Sequence, residues 1–412
     1  MPHEPELLVL DARGADPDAE IRALHARGPA SRIDILGVTA WSVSEPTLLK
    51  RLLSSPDVSK DARQHWPRFS EVGGTWPLAL WVSVKNMFTA YGGEHRRLRR
   101  LVAPAFAPRR VAALTGTVEA LVSGLLDGLA ATAPGETVDL RERFAYPLPI
   151  QVISHLMGLP ADQREGFRGV VDGVFATTLT PEEAAANTAR LYAVLDRLIA
   201  TRRAAPGEDM TSLLISARDE EGGQAGLSDE ELRDTLLLMV SAGYETTVNL
   251  IDQAVTALLT HPDQLALVRA GRAGWADVVE ETLRLRPAIK HLPLRFAVRD
   301  IPLPDGQVIA AGEAILASYA AANRHPGRPG ERTGVFDLTR TAPGPEHLAF
   351  GHGAHYCLGA PLARLEAVTA LRALFARFPG IELAVCAREL ELVPSLITYG
   401  HRHLPVPLRP AG

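Results

Sequence analysis

The segment 228–260 limits the fold most, because its pattern predicts one long helix that is apolar over most of its surface. Ser228 is a suitable N-cap, and Glu231 three residues later completes a capping box. Pro262 marks the end of the helix. A helix of this length without a broad polar face has to be buried. We therefore expect it to cross the middle of a large, helix-rich domain.

Helical spacing recurs along the chain, whereas strand-like pieces are short and lie late in the sequence. Apolar residues repeat at helical intervals over 109–133 and 186–202. Strands are predicted over 294–298 and 307–316, on either side of a Pro-Asp-Gly turn. We find no internal repeat and no low-complexity linker. The expected fold class is mainly α with a minor β part, as a single domain over residues 1–412.

The composition argues against several classes of protein. A net charge of -5 gives no reason to expect nucleic-acid binding. The two cysteines cannot build a disulfide framework, which is typical of a reducing cytoplasm. The first residues do not form a signal peptide, and no run approaches the roughly 18 apolar residues of a membrane span. We expect a cytoplasmic monomer that is not inserted in a membrane.

The segment 350–359, Phe-Gly-His-Gly-Ala-His-Tyr-Cys-Leu-Gly, carries the strongest chemical signal. A lone cysteine is usually a small buried apolar residue, but glycines flank Cys357 and let the backbone approach a flat ligand closely. Helical spacing begins just after it, so the thiol lies near a helix N-terminus, where the dipole and free amides stabilise a thiolate. His352 and His355 raise zinc as an alternative, but a structural zinc site needs four ligands and no partner pair follows nearby.

This segment resembles the haem-binding signature of the cytochrome P-450 superfamily, and the resemblance extends over nearly the whole chain. It implies a large helical domain with small sheets and a haem between two central helices. It also implies that Cys357 is the axial ligand of the iron of haem b (heme b, iron protoporphyrin IX). Phe350, Gly351 and Gly359 are then expected to lie against the cofactor.

A second superfamily motif lies in the long helix at 242–247, Ala-Gly-Tyr-Glu-Thr-Thr. A glycine within a helix costs about 1 kcal/mol relative to alanine, and Ala242 with Gly243 leaves room for a porphyrin. The Thr246 hydroxyl can donate back to the Ala242 carbonyl and loosen the helix, while the Glu245 carboxylate needs a partner or a task. The alternative is a core helix with a salt-bridged glutamate. In the superfamily this acid–alcohol pair supplies protons for oxygen activation, which gives Glu245 and Thr246 catalytic roles.

Glu281 and Arg284 match a third motif, an acid–base pair three residues apart on a helix. Such pairs are common on exposed helices and alone mean little. Their position ahead of the cysteine matches the ExxR helix of the superfamily, which implies a buried structural pair. The superfamily completes this pair with a basic residue, but Val335 holds that position here, so Arg332 or Arg340 is the expected substitute.

A haem carries two propionates, which need cationic partners when they are buried. Four residues match the usual propionate ligands of the superfamily: His95, Arg99, Arg295 and His355. The neighbouring Arg96, Arg97 and Arg100 are either a solvated helix face or a basic surface that docks an acidic ferredoxin.

The resemblance implies a monooxygenase that inserts one oxygen atom of O2 into an apolar small molecule. We find no fused flavin or iron–sulfur domain, so electrons from NAD(P)H are expected to arrive through a separate ferredoxin and its ferredoxin reductase. Two alternatives remain. A peroxygenase would use peroxide directly, and it would not need Glu245 and Thr246. A non-enzymatic haem sensor or carrier would have a second axial ligand, and none is apparent.

The substrate-facing residues are inferred from segments that face the distal side of the haem in the superfamily. They are all apolar: Trp81, Met87, Phe88, Phe175, Met239, Ile289, Leu292 and Ile397. Taken singly, each is more often a core residue than a ligand contact. The stretch 76–92 resembles an actinobacterial branch that oxidises steroids and macrolide-like polyketides, which are secondary metabolites. The alternative substrate is a tethered or cyclic peptide-like intermediate.

Overall fold

Helices dominate the computed structural model, which describes residues 7–72, 74–133, 135–160, 171, 173–219, 225–327, 332–340 and 347–408. The α-helices are α1 (Pro17–Ala26), α2 (Pro46–Ser54), α3 (Ala62–His65), α4 (Phe69–Val72), α5 (Leu80–Ser83), α6 (Gly92–Val102), α7 (Pro108–Ala113), α8 (Thr115–Ala130), α9 (Pro147–Met157), α10 (Pro181–Ala204), α11 (Met210–Ser216), α12 (Asp229–Thr260), α13 (Pro262–Arg269), α14 (Trp275–Leu285), α15 (Tyr319–Asn323) and α16 (Ala360–Arg377). Short 3-10 segments cover Ala103–Phe106, Gly353–His355 and Ala387–Glu389, and Arg141–Ala145 forms a π-helical turn.

The minor β part is a six-stranded sheet with two small strand pairs. The strands are β1 (Leu8–Val9), β2 (Ala30–Ile35), β3 (Val38–Val43), β4 (Val58–Ser59), β5 (Thr137–Asp139), β6 (His291–Ala297), β7 (Ile301–Pro302), β8 (Val308–Ile309), β9 (Ala314–Ser318) and β10 (Pro405–Pro407). The sheet order is β1-β2-β3-β9-β6-β4, while β10 pairs with β5 and β7 with β8. β3 and β9 are parallel, and β6 runs antiparallel to both of its neighbours. The predicted fold class, mainly α with a minor β part, is confirmed.

The long helix α12 forms as the sequence predicts. The Glu231 backbone N–H donates to the Ser228 hydroxyl at 3.2 Å, and the Ser228 N–H donates to the Glu231 carboxylate at 2.8 Å, which completes the capping box. Most side chains of α12 are buried, and α9, α10, α14 and α16 pack against it. The helix that has no broad polar face is therefore surrounded by other helices.

Two predicted segments are each divided in the structure. The range 109–133 holds α7 and α8, and the axis from Gly92–Ala113 turns by 63° into Thr115–Ala130. The range 307–316 holds β8 and the start of β9, because Gly312 adopts φ +83° between them and interrupts the extended chain. The Pro-Asp-Gly turn therefore joins β7 to β8, and not the two strands of the large sheet.

The apolar core follows this division into helices and sheet. The largest cluster of buried side chains joins α8, α9, α12 and α16, and a second cluster packs against β2, β6 and β9. Of the helices in the described ranges, none on its own has both the length and the apolar character needed to cross a membrane, although the bent pair Gly92–Ala113 and Thr115–Ala130 meets both requirements jointly.

Candidate active site

A cavity with about 1380 Å³ of empty space, part of it open to solvent, lies between α12 and the loop that precedes α16. Its wall includes Met239, Ala242, Gly243, Thr246 and Leu250 from α12, and Phe350, Gly351, His355, Cys357 and Gly359 from the loop. Two motifs that are far apart in the sequence therefore face the same space.

Left-handed glycines shape the loop that carries Cys357. Gly351 has φ +74° and Gly353 has φ +71°, which other residues adopt only with strain. A Cβ atom at Gly353 would lie 2.7 Å from the Leu53 carbonyl oxygen, so this position has no room for a side chain. The Cys357 N–H donates to the Phe350 carbonyl at 3.0 Å and closes the loop.

The Cys357 thiol is exposed to the cavity at the start of α16. Burial within the protein raises the pKa of this thiol, and the Gly359 and Ala360 amides together with Arg99 and Arg364 oppose the rise. These donors and cations would stabilise a thiolate once a metal is bound to it. Among the described residues no group of three or more His, Cys, Asp or Glu side chains could hold a metal ion.

On the opposite wall, the Thr246 hydroxyl donates to the Ala242 carbonyl at 2.5 Å. This is the bond that the sequence suggested, but α12 remains a regular α-helix through this turn and is not loosened. A Cβ atom at Gly243 would lie 3.3 Å from Cδ1 of Ile153. The glycine therefore also allows α9 to pack closely against α12.

The Glu245 side chain does not face the cavity that Thr246 lines. Its carboxylate accepts from Arg141 Nη2 at 3.3 Å and from Asn249 Nδ2 at 3.0 Å, and Arg141 also donates to Asp252 at 3.2 Å. The Glu245 side chain is absent from the wall of the cavity that Thr246 lines. Successive side chains on an α-helix point about 100° apart, so the two neighbours face different surroundings. The structure therefore places Thr246 on the wall of the cavity and Glu245 beside Arg141.

Basic side chains gather beside the cavity. The rings of His95 and His355 lie 4.0 Å apart between centroids, and Arg99 donates to the Tyr356 carbonyl at 2.8 Å. His95 Nε2 and Arg295 Nη1 are buried without a hydrogen-bond partner. Burial and the neighbouring positive charges lower the pKa of His95 to about 4 and the pKa of His355 well below its usual value. Buried hydrogen-bond donors without acceptors, next to positive charges, fit an anionic ligand.

Three residues at or beside this site carry no recognisable sequence motif. Lys60 follows β4 and is 2% exposed, and Arg141 is 1% exposed beside Glu245. Glu366 lines the cavity from α16, and burial raises its pKa to about 8. A lone lysine, arginine or glutamate outside a motif gives no sequence signal, so only tertiary packing identifies these three.

Comparison with known proteins decides the family. The model of the cytochrome P450 family matches residues 182–270 and 276–382. The 2-hydroxy-5-methyl-1-naphthoate 7-hydroxylase of Streptomyces carzinostaticus is 38% identical over 403 residues, which is 97% of each chain. The chain belongs to the cytochrome P450 family. As a P450 it binds haem b and is a monooxygenase.

Solved P450 structures agree with this fold. CYP154A1 from Streptomyces coelicolor A3(2) superimposes with a TM-score of 0.93 at 67% identity, over 98% of this chain and 100% of that chain. The testosterone-bound CYP154C4 from Streptomyces sp. ATCC 11861 gives a TM-score of 0.93 at 40% identity, over 99% and 100% of the two chains. The cavity of this P450 fits a haem, because its wall carries the Cys357 thiol together with Arg99 and His355. The unpartnered buried nitrogen of His95 lies in the ring that packs beside His355 and would accept a propionate as its partner.

The predicted substrate residues of the P450 fall into three groups. Met87 and Met239 line the larger cavity. A smaller cavity of about 610 Å³ shares part of that wall and is lined by further predicted residues: Trp81, Phe88, Phe175, Ile289 and Leu292. Ile397 lines neither cavity. Its side chain is fully buried in the core, and its carbonyl accepts from the Lys290 N–H at 2.7 Å.

The ExxR pair is bidentate, with Glu281 buried and Arg284 partly buried. Arg284 donates to Glu281 at 2.6 and 2.8 Å, and it also donates to the carbonyls of Thr333 and Val335. Arg340 approaches Glu281 at 3.6 Å and occupies the third place in this network. The other candidate, Arg332, contributes only its carbonyl, which accepts from Arg340.

The predicted basic surface on α6 is less free than its sequence suggests. Arg97 pairs with Glu94 and with Glu231 at the start of α12. Arg100 pairs with Asp219. Arg96 is exposed. Two of the three arginines therefore already have acidic partners, which weakens the case for all three as a docking surface.

Proposed function

We propose that this P450 inserts one oxygen atom of O2 into a rigid, apolar small molecule of the steroid or macrolide type. The observation that carries the proposal is the apolar cavity that opens between Thr246 and Phe88, next to the space above Cys357. Electrons from NAD(P)H reach it through a ferredoxin and a ferredoxin reductase. Residues 1–412 act as one catalytic domain, as a monomer in the cytoplasm.

The Cys357 thiolate would bind the iron of the haem, and four basic residues would hold the two propionates: His95, Arg99, Arg295 and His355. Their orphaned buried atoms support this role, because carboxylates would satisfy them. Phe350, Gly351, Gly359, Ala242 and Gly243 form the walls against the ring. When bound, the haem uses two electrons and two protons so that one atom of O2 enters the substrate and the other leaves as water.

Thr246 orders the proton supply at the cavity. Its hydroxyl proton is directed to the Ala242 carbonyl at 2.5 Å, which leaves the lone pairs of the oxygen free to accept from a water in the cavity. Glu245 serves as the acid behind it. Since its carboxylate is paired with Arg141, it has to turn from that arginine to exchange a proton with the cavity.

The wall of the smaller cavity favours a hydrocarbon surface on the substrate. Apart from Thr246, two polar side chains of this wall already have partners: Ser241 donates to the Leu237 carbonyl at 2.8 Å, and Asn86 donates to the Asp234 carbonyl at 2.8 Å and accepts from the Phe88 N–H at 3.0 Å. A polar substrate group there would lose its hydration without a new partner. The testosterone bound to the related CYP154C4 supports a polycyclic substrate.

A spectral titration tests the substrate class. Testosterone or a macrolide is expected to displace water from the iron and shift the purified protein from low to high spin, whereas a cyclodipeptide is not. Phe175→Ala should weaken this binding about tenfold, by loss of a buried aromatic contact. Ile397→Val is the matched control, because it alters core packing without changing the cavity wall. A shift with the cyclodipeptide alone would contradict the proposal.

Peroxide-driven oxygenation is the second candidate, and the position of Glu245 favours it, because a peroxygenase does not need an acid at the cavity. The two are separated by supplying either NAD(P)H with a ferredoxin and its reductase, or peroxide alone. Product under the first condition at a much higher rate supports the monooxygenase. Equal or faster product formation with peroxide would favour the peroxygenase.

A further inference from the structure

Lys60 carries a buried charge that the haem site described so far does not use. It is 2% exposed. Its Nζ donates to the Pro293 carbonyl at 3.0 Å and lies 3.8 Å from the centroid of the Phe88 ring. No acidic side chain within the described residues forms an ion pair with it. A buried ammonium is costly unless an anion accompanies it.

Strand register brings a second cation next to this lysine. β4 pairs antiparallel with β6, with Val58 opposite Ala297 and Ser59 opposite Phe296. Continuing this register by one residue sets Lys60 opposite Arg295. Residues opposite each other on antiparallel strands share a face, and like charges in that position repel. Both members of this pair are buried, and Arg295 Nη1 has no hydrogen-bond partner.

The electrostatics agree with this geometry. Burial and then the charge of Arg295 hold the pKa of Lys60 well below its usual value. Lys60 therefore lies beside Arg295, one of the four basic residues expected at the propionates.

We propose that Lys60 is a fifth cationic partner of the haem and that it binds one haem carboxylate together with Arg295. The proposal rests on haem binding and is independent of the substrate. An anion between the two cations removes their repulsion and gives the Arg295 donor an acceptor. The same ammonium lies on the Phe88 ring, which lines both cavities, so one residue contacts both the cofactor and the wall of the substrate site.

The test measures haem loss and the reduction potential of the substrate-free holoprotein. Lys60→Met keeps the apolar stem over Phe88 and removes the charge. We expect haem transfer to apomyoglobin to become about tenfold faster or more, as a charged hydrogen bond is lost, and the reduction potential to become more negative, since a nearby positive charge favours the reduced iron. Lys60→Arg should stay close to wild type in both.

Lys290 provides the matched control. It is another buried lysine, 1% exposed, whose Nζ donates to the Ser395 carbonyl at 2.9 Å near Glu20 and Asp11. Lys290→Met should destabilise the fold but leave haem transfer and potential unchanged. If Lys60→Met does not fold, Lys60→Gln takes its place with the same measurements. A Lys60 variant whose haem-transfer rate and potential match those of Lys290→Met would overturn the proposal and leave only packing against Phe88.

Discussion

Thr246 on α12 places a hydroxyl in the cavity that the Cys357 thiol also lines, while its neighbour Glu245 is bound to Arg141. At the scale of single residues, the proposed chemistry therefore depends first on Thr246. Its side chain offers an oxygen that can accept from water because its own proton is held by the Ala242 carbonyl. Alanine would keep the helix and remove this acceptor.

Thr246→Ala is expected to lower the product formed per NAD(P)H consumed by about tenfold or more, because misplaced protons divert electrons to peroxide. Product and peroxide are both measured against cofactor consumption. Thr260→Ala is the control, since Thr260 makes the same type of bond, to the Thr256 carbonyl at 2.7 Å, near the end of the same helix. Coupling in Thr246→Ala equal to that of the Thr260 variant would contradict the role.

Glu366 gives a second residue-scale prediction, on pH. Burial raises its pKa to about 8 from an ordinary value of 4.5. The folded chain thus retains a proton that the unfolded chain releases, so stability is present below pH 4.5 and is lost as pH rises towards 8. The loss is up to about 1.4 kcal/mol per pH unit.

Glu366→Gln should flatten this dependence, because glutamine is neutral at every pH and similar in shape. Thermal unfolding of the holoprotein between pH 5 and pH 9 measures it. A Glu366→Gln variant that loses stability with rising pH as steeply as wild type would show that another group is responsible.

At the scale of elements, α14 is joined to the segment 332–340 through Glu281. Its carboxylate accepts from Arg284 and from the Asp337 N–H at 2.9 Å, and Arg340 lies nearby. Removing its charge leaves the partly buried Arg284 without its anion, although two carbonyls still accept from that side chain.

Glu281→Gln is expected to lower the free energy of unfolding by about 3 kcal/mol. Urea denaturation measures the loss. Arg332→Ala should change it by less than about 0.5 kcal/mol, because that side chain is exposed and only its backbone carbonyl takes part. Equal losses in the two variants would place the third member of the network at Arg332 instead of Arg340.

Features of the helices could be predicted from the sequence where they depend on hydrogen bonds between residues that lie close together in the chain. The capping box at Ser228 and the back-bond of Thr246 depend on residues three or four apart, and both form as expected. The division of 307–316 by Gly312 was not foreseen, because a glycine within a strand pattern is compatible with either a bulge or a break. The side that Glu245 faces depends on Arg141, which lies more than a hundred residues earlier.

At the scale of the whole molecule, the site is assembled from α6, β6, α12 and the loop before α16. A family resemblance located the cysteine and the four basic residues, but it could not locate Lys60, since its proximity to Arg295 arises only when β4 pairs with β6. For the same reason the sequence could not separate Ile397, which is fully buried in the core, from Phe175, which lines a cavity.

The central claim is that the Cys357 sulfur is bound to the haem iron. The most direct measurement is the absorption spectrum of the purified, reduced protein under carbon monoxide, compared with that of Cys357→His. The account predicts the red-shifted band of a thiolate-bound haem in the wild type and its loss in the variant, whereas Cys386→Ser retains it. A wild-type spectrum without that band, or a variant that keeps it, would contradict the account.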